Sequence, residues 1–572
     1  MPANSTKNVW SELWLTEDYW AIWLGFFLLI VGCILFLPNP PEGMEKDIQE
    51  ANATMAWEAD RAPFKTIAYY KAQDIKAGLR ARNSGIGKQI AAFFKQPQNW
   101  TNNPIHAFFQ GSGQVKNRNN AALPGLAIAK EAAAEALNEA KVAEAAAQSA
   151  GFQDQALNKA AEAKIDAWHE AKGDQSAASR KTTIKPFNLI PSLIGLMVVM
   201  GLFFAIGIKF MGKNLGGFLK GFPLVFVIAV VAYALANQIT MKHYGIGDAA
   251  WAIAIGMLIS NTIGTPKWAK SALEVEYYIK TGLVLLGGEL LISRILAIGL
   301  PGICVAWIVT PTILVLTFLF GQKVLKIESK TLNMVVSADM SVCGTSAAIA
   351  AAAACKAKKE ELTLAIGLSL VFTAIMMVAM PAIIKTTGIP YILGGAWMGG
   401  TIDATGAVAA AGAFLSEEAL YVAATIKMIQ NMLIGVIAFG IAVFWSMKIE
   451  AAEGKRIGLM EIWYRFPKFI LGFLGASIIF SLIYSFMGSD IGYTMIDQGV
   501  LRGFSRLCRD WFFTLAFVAI GLSTNFKELA HHFKGGKPFI LYACGQTLNL
   551  ALTLIMAYIM FYLVFPEITA AI

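Results

Sequence analysis

From residue 188 onward one pattern governs the chain. Apolar runs of roughly 17–25 residues recur, each long enough to cross a bilayer core about 30 Å thick. The runs read at 188–211, 221–239, 248–265, 275–293, 299–320, 332–354, 361–385, 390–414, 423–446, 467–488, 507–524 and 537–564. With an earlier run at 19–37 they make about thirteen. Hydrocarbon offers no partner to a backbone N–H or C=O, and each unpaired group costs several kcal/mol there, so such runs must be helical. The expectation is an all-α polytopic membrane protein with about 11–13 transmembrane helices, the glycine-rich ones broken or re-entrant. Only 15% of the residues are charged, against about 25% in soluble domains, and the mean hydropathy is +0.56.

The run at 19–37 could be a secretory signal, but it has no basic flank before it and ends in "PNPPEG", so it reads as a membrane helix. Residues 41–186 are different in kind. They are polar, mixed in charge, and hold no stretch able to span a bilayer. Within them the helical pattern of 42–83 is interrupted by Pro63, the Asn/Gln/Gly/Pro-rich stretch 97–125 reads as loop, and the Ala/Glu/Lys-rich 126–173 reads as a helical hairpin turning at Gly151. Its alanine stripe suits close helix packing or a homo-oligomer. Three parts follow: an N-terminal helix over 1–40, a soluble helical insert over 41–186, and a polytopic domain over 187–572.

The net charge of +9 is not a nucleic-acid signal in such a chain, because Lys and Arg collect in the cytoplasmic loops of membrane proteins. One set of alternate loops carries Lys213, Lys220, Lys267, Lys270, Lys323, Lys326, Lys330, Lys448, Lys455, Arg456, Arg465, Lys468, Lys534 and Lys537; the other carries Lys356, Lys358, Lys359, Arg502, Arg506 and Arg509. The richer side is expected to be cytoplasmic, with the N-terminus inside and the insert outside. The six cysteines form no CxxC pair, which argues against a zinc ribbon or a disulfide framework. No metal or cofactor is expected.

Two segments break the apolar pattern. "SADMSVCGTSAAIAAAAA" (337–354) and "GGAWMGGTIDATGAVAAAGAF" (394–414) crowd small and polar residues around one aspartate each. Aligned, Cys343 falls on Asp403, Thr345 on Thr405 and Ser346 on Gly406. A second echo sets Gly287 on Gly521. Internal repeats of this kind place broken helices at the bilayer midplane in secondary transporters. A helix beginning at Gly344 or Thr345 presents free N–H groups and the positive end of its dipole, an anion site to which Ser341, Thr345 and Ser346 add hydroxyls. Ser337, Thr401 and Thr405 join the same candidate set. Asp339 and Asp403 are costly in a bilayer, and buried carboxyls there mark ion or proton paths. Secondary candidates are Glu289 as a third proton carrier, Asn261, Asn431 and Asn525 as neutral ligands, Thr524 beside them, and Lys427 as an anion-attracting cation or a side chain that merely snorkels.

The stretch "SADMSVCGTSAAIAAAAACKAKKEELTLAIGLSLVFTAIMMVAMPAII" resembles the signature region of the YeiH-type sulfate exporters, a bacterial family. "AIAIGMLISNTIG" (252–264), "GLVLLGGELL" (282–291), "GTIDATGAVAAAGAF" (400–414), "ATIKMIQNMLIG" (424–435) and "FVAIGLSTNFKEL" (517–529) follow the family in order, over roughly 221–564. The resemblance implies an inner-membrane transporter with inverted repeats, akin in architecture to cation/proton antiporters. It departs from the family where His and an acidic residue commonly stand and this chain has Asp403 and Ala404. The insert lies outside it.

The function expected is secondary transport of a small anion, such as sulfate or a sulfonate, coupled to protons or sodium. A cation/proton antiporter using Asp339 and Asp403 is the alternative. An enzyme is not expected: no histidine stands near Cys343 in sequence, no GxGD pattern flanks the aspartates, and no P-loop occurs.

Overall fold

A computed structural model of the chain describes residues 13–243, 247–289, 300–342, 344–404, 407–408, 411–412, 415–449, 468–523 and 536–567. The chain divides into two units. One comprises Cys33–Ile194 and Met487–Gly503; the other comprises Met1–Gly32, Gly195–Phe486 and Phe504–Ile572.

The first long helix, α1 (Glu17–Phe36), is apolar after its first two residues, Glu17 and Asp18. The unit that holds the insert read as soluble then opens with α2 (Met44–Arg61), which stops before Pro63, α3 (Ile67–Gly78) and α4 (Gly85–Phe93). Thr66 and Ser84 cap α3 and α4 by accepting from Tyr69 N–H and Gly87 N–H. Next comes a helical hairpin, α5 (Ser112–Ser149) and α6 (Gln155–Thr182), turning where Gly151 adopts φ 61°. Ala133, Ala140 and Ala147 recur every seventh residue on the buried face of α5, and Ala161, Ile165 and Trp168 are buried on α6. Alanine at that period lets two helices approach closely. The loop expected over 97–125 ends at Ser112, so 112–125 is helical despite Pro124. Pro124 is exposed, so water can serve the carbonyl that it leaves without a donor.

The membrane unit continues with α7 (Ile190–Phe210), α8 (Leu215–Ala236), α9 (Asp248–Thr262), α10 (Val275–Glu289) and α11 (Leu300–Lys323). It goes on through α12 (Lys330–Ser341), α13 (Thr345–Cys355), α14 (Lys359–Thr387), α15 (Tyr391–Thr401), α16 (Glu417–Phe444), α17 (Phe469–Met487), α18 (Arg506–Ser523) and α19 (Lys537–Tyr558). Among the described residues, five helices are long and apolar enough to cross a membrane on composition alone: Glu17–Phe36, Ile190–Phe210, Leu215–Ala236, Pro301–Lys323 and Lys537–Val564. One group of helices, α8, α9, α10 and α18, packs through aromatic rings and bare backbone. Phe226 stacks on Trp511 at 5.1 Å, and a side chain on Gly256 would meet the Gly521 backbone at 2.8 Å.

The second group is built on two short pairs. α12 has 12 residues and α13 has 11, so each reaches only about 16–18 Å, half the hydrocarbon thickness. They do not run end to end. Ser329 and Thr331, at the start of α12, donate to Glu361 at 2.5 and 2.7 Å, and Cys355, at the end of α13, lies against the Thr331 carbonyl. The two ends of the pair therefore meet, and 330–355 is a re-entrant hairpin with its tip at Val342–Gly344. The second segment turns back as well. A side chain on Gly395 would strike the Ala419 carbonyl, and one on Gly399 the Ala423 carbonyl, both at 2.6 Å. The constant offset means that α15 and α16 run parallel. The chain between them, where Val408 N–H bonds Ala404 O at 2.9 Å, must return to the face from which α15 entered.

α19 gives the two hairpins their direction. It starts where Lys537 donates to Lys326 O beside the first hairpin's base, and passes both tips at Gly545, Gln546 and Asn549. It ends with Phe561 packed in a cluster with Leu393 at the second hairpin's base. The hairpins thus enter from opposite faces and meet tip to tip, caged by α11, α14, α16 and α19. Two corrections follow. Segments 332–354 and 390–414 are not full passes, which leaves eleven helices for that role among the described residues (α1, α7–α11, α14, α16–α19). And Lys356, Lys358 and Lys359 share a face with Lys323, Lys326 and Lys330, because the chain reverses at Gly344 instead of crossing.

Candidate functional site

The meeting point of the tips is the most polar buried place in the second group. Gly344 makes it possible. It holds φ 57°, ψ −122°, a region only glycine enters readily, and a side chain there would lie 2.6 Å from Ser369 Oγ and 3.0 Å from the Asp403 carbonyl. Both breaks fall at positions that the internal echo had aligned.

A helix ending in mid-bilayer leaves carbonyls without donors. Here side chains from the caging helices take them. Asn549 donates to Met340 O at 3.3 Å and Lys427 Nζ to Val342 O at 2.6 Å. Gln430 Nε2 reaches both Ser341 O and Gly400 O at 3.1 Å, and Gln546 Nε2 reaches Thr401 O at 2.8 Å. Lys427 also bonds Gln430 Oε1 at 2.8 Å and is fully buried. It does not snorkel. It sits where the negative end of the α12 dipole needs a cation.

The acids are arranged unequally. Asp403 accepts from Tyr542 Oη at 2.5 Å and lies in the field of Lys427. Asp339 is fully buried and lies in the field of Asp403, with Ser369 and Tyr542 nearby, but neither of its carboxyl oxygens has a hydrogen-bond donor among the described residues. At the N-terminal ends the balance is reversed. Ala348 N–H bonds Gly344 O at 2.9 Å, while the N–H groups of Thr345, Ser346 and Ala347 have no acceptor among the described residues. Thr345 and Ser346 are half-buried in otherwise buried surroundings.

The remaining candidates disperse. Ser337 bonds Asn333 Oδ1 at 3.4 Å, Ser341 bonds Ala338 O, and Thr401 bonds Trp397 O, so these hydroxyls serve neighbours on their own helices. Asn261 donates to Met257 O within α9, in the other helix group. Glu289 is there too, bound by Arg509 at 2.6 Å, with Asp510 on the same guanidinium at 2.8 Å. Asn431 is on α16 beside Gln430 and is half-buried. Cys343, Thr405, Thr524 and Asn525 lie outside the described residues. Sequence reasoning missed Tyr542, Gln546, Asn549, Gln430 and Ser369. The signal was present: Gln546 and Asn549 stand in the middle of an apolar run, where an amide has to find a partner. Among the described residues, no group of three or more His, Cys, Asp or Glu could hold a metal ion.

A family model described as "Conserved hypothetical protein 698" matches residues 220–542, and so takes in both hairpins and most of the cage. A UPF0324 membrane protein of Nitratidesulfovibrio vulgaris is 64% identical over 98% of this chain and 97% of its own length. The chain belongs to the UPF0324 family of membrane proteins. A second UPF0324 protein of N. vulgaris is 62% identical over the same shares. The UPF0324 inner membrane protein YeiH of Escherichia coli is 24% identical over 58% of this chain and 90% of its own length. No solved structure matches. The family-model match begins at 220, past the insert, whereas the two N. vulgaris relatives align over nearly the whole chain.

Proposed function

We propose that this UPF0324 protein is an ion-coupled secondary transporter whose site lies between the two hairpin tips, and that it is not an enzyme. One observation carries the reading. At a single point stand a fully buried carboxyl (Asp339), with Ser369 and Tyr542 beside it but no well-placed donor among the described residues, and the N-terminal N–H groups of α13, for which the described residues supply no acceptor. The first is an acceptor for a proton or sodium ion, the second for an anion. A site that takes both charges couples them, since each occupant offsets the other's desolvation. The substrate is a small anion, with sulfate or a sulfonate as the first choice on the exporter resemblance. Lys427 supplies positive field but is already bonded to Val342 O and Gln430, so it holds the tip instead of gripping the anion.

A second reading, cation/proton antiport, is favoured by the charge count at the tips. Two carboxyls stand against one lysine, which leaves room for one monovalent cation and no need of an anion. Purified protein in liposomes separates the two. Uptake of radiolabelled sulfate driven by a proton or sodium gradient, lost in Asp339→Asn, supports the first reading. Sodium–proton exchange without sulfate, lost in the same variant, supports the second. If Asp339→Asn and Asp403→Asn leave every flux unchanged, the site is misassigned.

The orientation follows from the corrected loops. Moving Lys356, Lys358 and Lys359 to the face of Lys323, Lys326 and Lys330 deepens the charge bias, which puts that face in the cytoplasm of a bacterial inner membrane. By helix order the N-terminus is inside, and 37–189 and 488–505 are outside.

A further inference from the structure

The soluble unit holds a second polar constellation that the transport reading does not use. Its 487–503 segment lies against the turn at Ala81–Asn83 with almost no side chain between them. A side chain on Gly499 would meet Ala81 Cβ at 2.8 Å, and one on Gly503 would meet Arg82 Cβ and Phe36 Cζ at 3.0 Å. This contact fixes Arg82 beside Arg502, with Arg80 two residues before it. The pair of glycines also seats the turn on Phe36, the last residue of α1.

The charges there do not balance. Arg502 Nε pairs with Asp497 Oδ1 at 3.3 Å, and Gln498 donates to the other oxygen at 2.6 Å. Arg80 Nε donates to Ala77 O at 2.8 Å. The Arg82 guanidinium is half-buried and has no hydrogen-bond acceptor among the described residues; it feels Arg80 and Arg502 as like charges, and Tyr493 and Asp497 as opposite ones. Burial first, and then the two arginines, hold its proton affinity below the usual arginine value. The nearby acid Asp490 is taken up by Lys76 at 2.7 Å and Asn52 at 2.7 Å. Arg502 thus pairs with one carboxylate whose field also reaches Arg82, and Arg80 adds a further like charge beside Arg82, an excess of two positive charges. A planar fork of N–H donors matches the geometry of a tetrahedral oxyanion, and several forks facing one point are the usual way that proteins hold one.

We propose that Arg80, Arg82 and Arg502 form a binding site for a phosphate- or sulfate-type oxyanion on the soluble unit, separate from the hairpin tips. The oxyanion has two possible sources, the phosphate of an anionic lipid headgroup and a free ion from solution. The shared chemistry is the tetrahedral, multiply hydrogen-bonding oxyanion. The site stands whether or not the transport reading does.

Full-length protein in nanodiscs tests it at constant ionic strength, with chloride as the balancing ion. In phosphatidylcholine discs, sulfate and inorganic phosphate are titrated by calorimetry against wild type, Arg82→Gln and Arg82→Lys. In phosphatidylglycerol discs, retained lipid is counted by native mass spectrometry. The expected result is at least a tenfold loss of oxyanion affinity in Arg82→Gln, a smaller loss in Arg82→Lys, and an unchanged Tm in both. Loss of sulfate binding in wild type when phosphatidylglycerol is present, with lipid retention that drops in Arg82→Gln, identifies the lipid phosphate as the occupant. Binding that survives Arg82→Gln and Arg502→Gln in both kinds of disc overturns the proposal. So does oxyanion binding abolished only by Asp403→Asn, which would locate the anion at the tips alone.

Discussion

Gly344→Ala is the most direct test of the tip-to-tip geometry. Alanine at φ 57°, ψ −122° stores backbone strain of about 1–3 kcal/mol. Its methyl would also sit 2.6 Å from Ser369 Oγ, 3.0 Å from Asp403 O and 3.1 Å from Asp403 Cβ. Ser369 Oγ can rotate away, but the Asp403 backbone cannot move without moving the second hairpin. Overpacking of that kind costs about 1–3 kcal/mol more. The sum, about 2–6 kcal/mol, is relieved by separating the tips, and at about 1.4 kcal/mol per tenfold it depletes the closed site by roughly 30-fold or more. Gly367→Ala is the control. It lies on α14 with nothing within 4 Å of its added methyl, and a helix-interior Gly→Ala change is neutral or stabilising by about 0.5–1 kcal/mol. Initial uptake rates in proteoliposomes, matched for protein incorporation, read the difference. Uptake by Gly344→Ala should fall at least 30-fold, with Gly367→Ala near wild type. If Gly344→Ala transports within twofold of wild type, the tips do not meet as described.

The re-entrant topology is tested with single cysteines in a background stripped of native ones. Lys326→Cys and Lys358→Cys should react with an impermeant maleimide from the same face, and Lys385→Cys from the opposite face; labelling of 326 and 358 from opposite sides would restore a full pass. In the soluble unit, burial pushes the Asp74 carboxyl up, but hydrogen bonds from Lys172 at 2.6 Å and His169 at 3.2 Å outweigh it and hold the group below the usual carboxylate range. A lowered carboxyl stabilises the fold above its unfolded value and loses that contribution as pH falls through the folded one. Amide protection over 67–78 and 155–182, taken against the intrinsic exchange rate at each pH, should therefore fall below about pH 4 in wild type. In Asp74→Asn protection should be lower already at neutral pH and less sensitive to acid; equal acid sensitivity in both proteins would show that the pair carries no stability.

The legible parts of this fold were those in which one residue type admits one conformation. Gly344 with its small neighbours announced a helix break, and the Asp403 segment repeated it. Gly151 between two Ala/Glu/Lys runs announced a hairpin. What the composition could not separate was a broken span from a re-entrant pair, because 330–355 and 391–415 are apolar enough for either. The deciding contacts, Thr331 with Glu361 and Gly395 with Ala419, lie 24–30 residues apart and leave no local pattern. The same blindness sent Lys356, Lys358 and Lys359 to the wrong face, since loop charge is read through the count of crossings. Pro124 misled for the opposite reason: a strong local signal was overridden because its missing hydrogen bond falls on a wet face.

The division of labour at the tips also limits which residues are available to a substrate. Met340, Ser341, Val342, Gly400 and Thr401 each present a buried carbonyl, and all five are taken by Asn549, Gln430, Lys427 and Gln546. Leaving a buried acceptor unpaired costs about 1–3 kcal/mol, so the five together are worth about as much as the whole net stability of a typical protein, roughly 5–15 kcal/mol. Those four side chains are therefore needed to let two hairpins end inside a bilayer, and a substrate cannot borrow them without opening the tips. The N-terminal end of the next helix, α13, carries no such commitment. The N–H groups at 345–347 and the carboxyl of Asp339 are, with Gln546 Oε1, among the polar groups for which the described residues supply no partner. A ligand that completes them adds bonds without breaking any, so on the transport reading the anion goes to the N–H groups that open α13 and the cation to Asp339 in the last turn of α12.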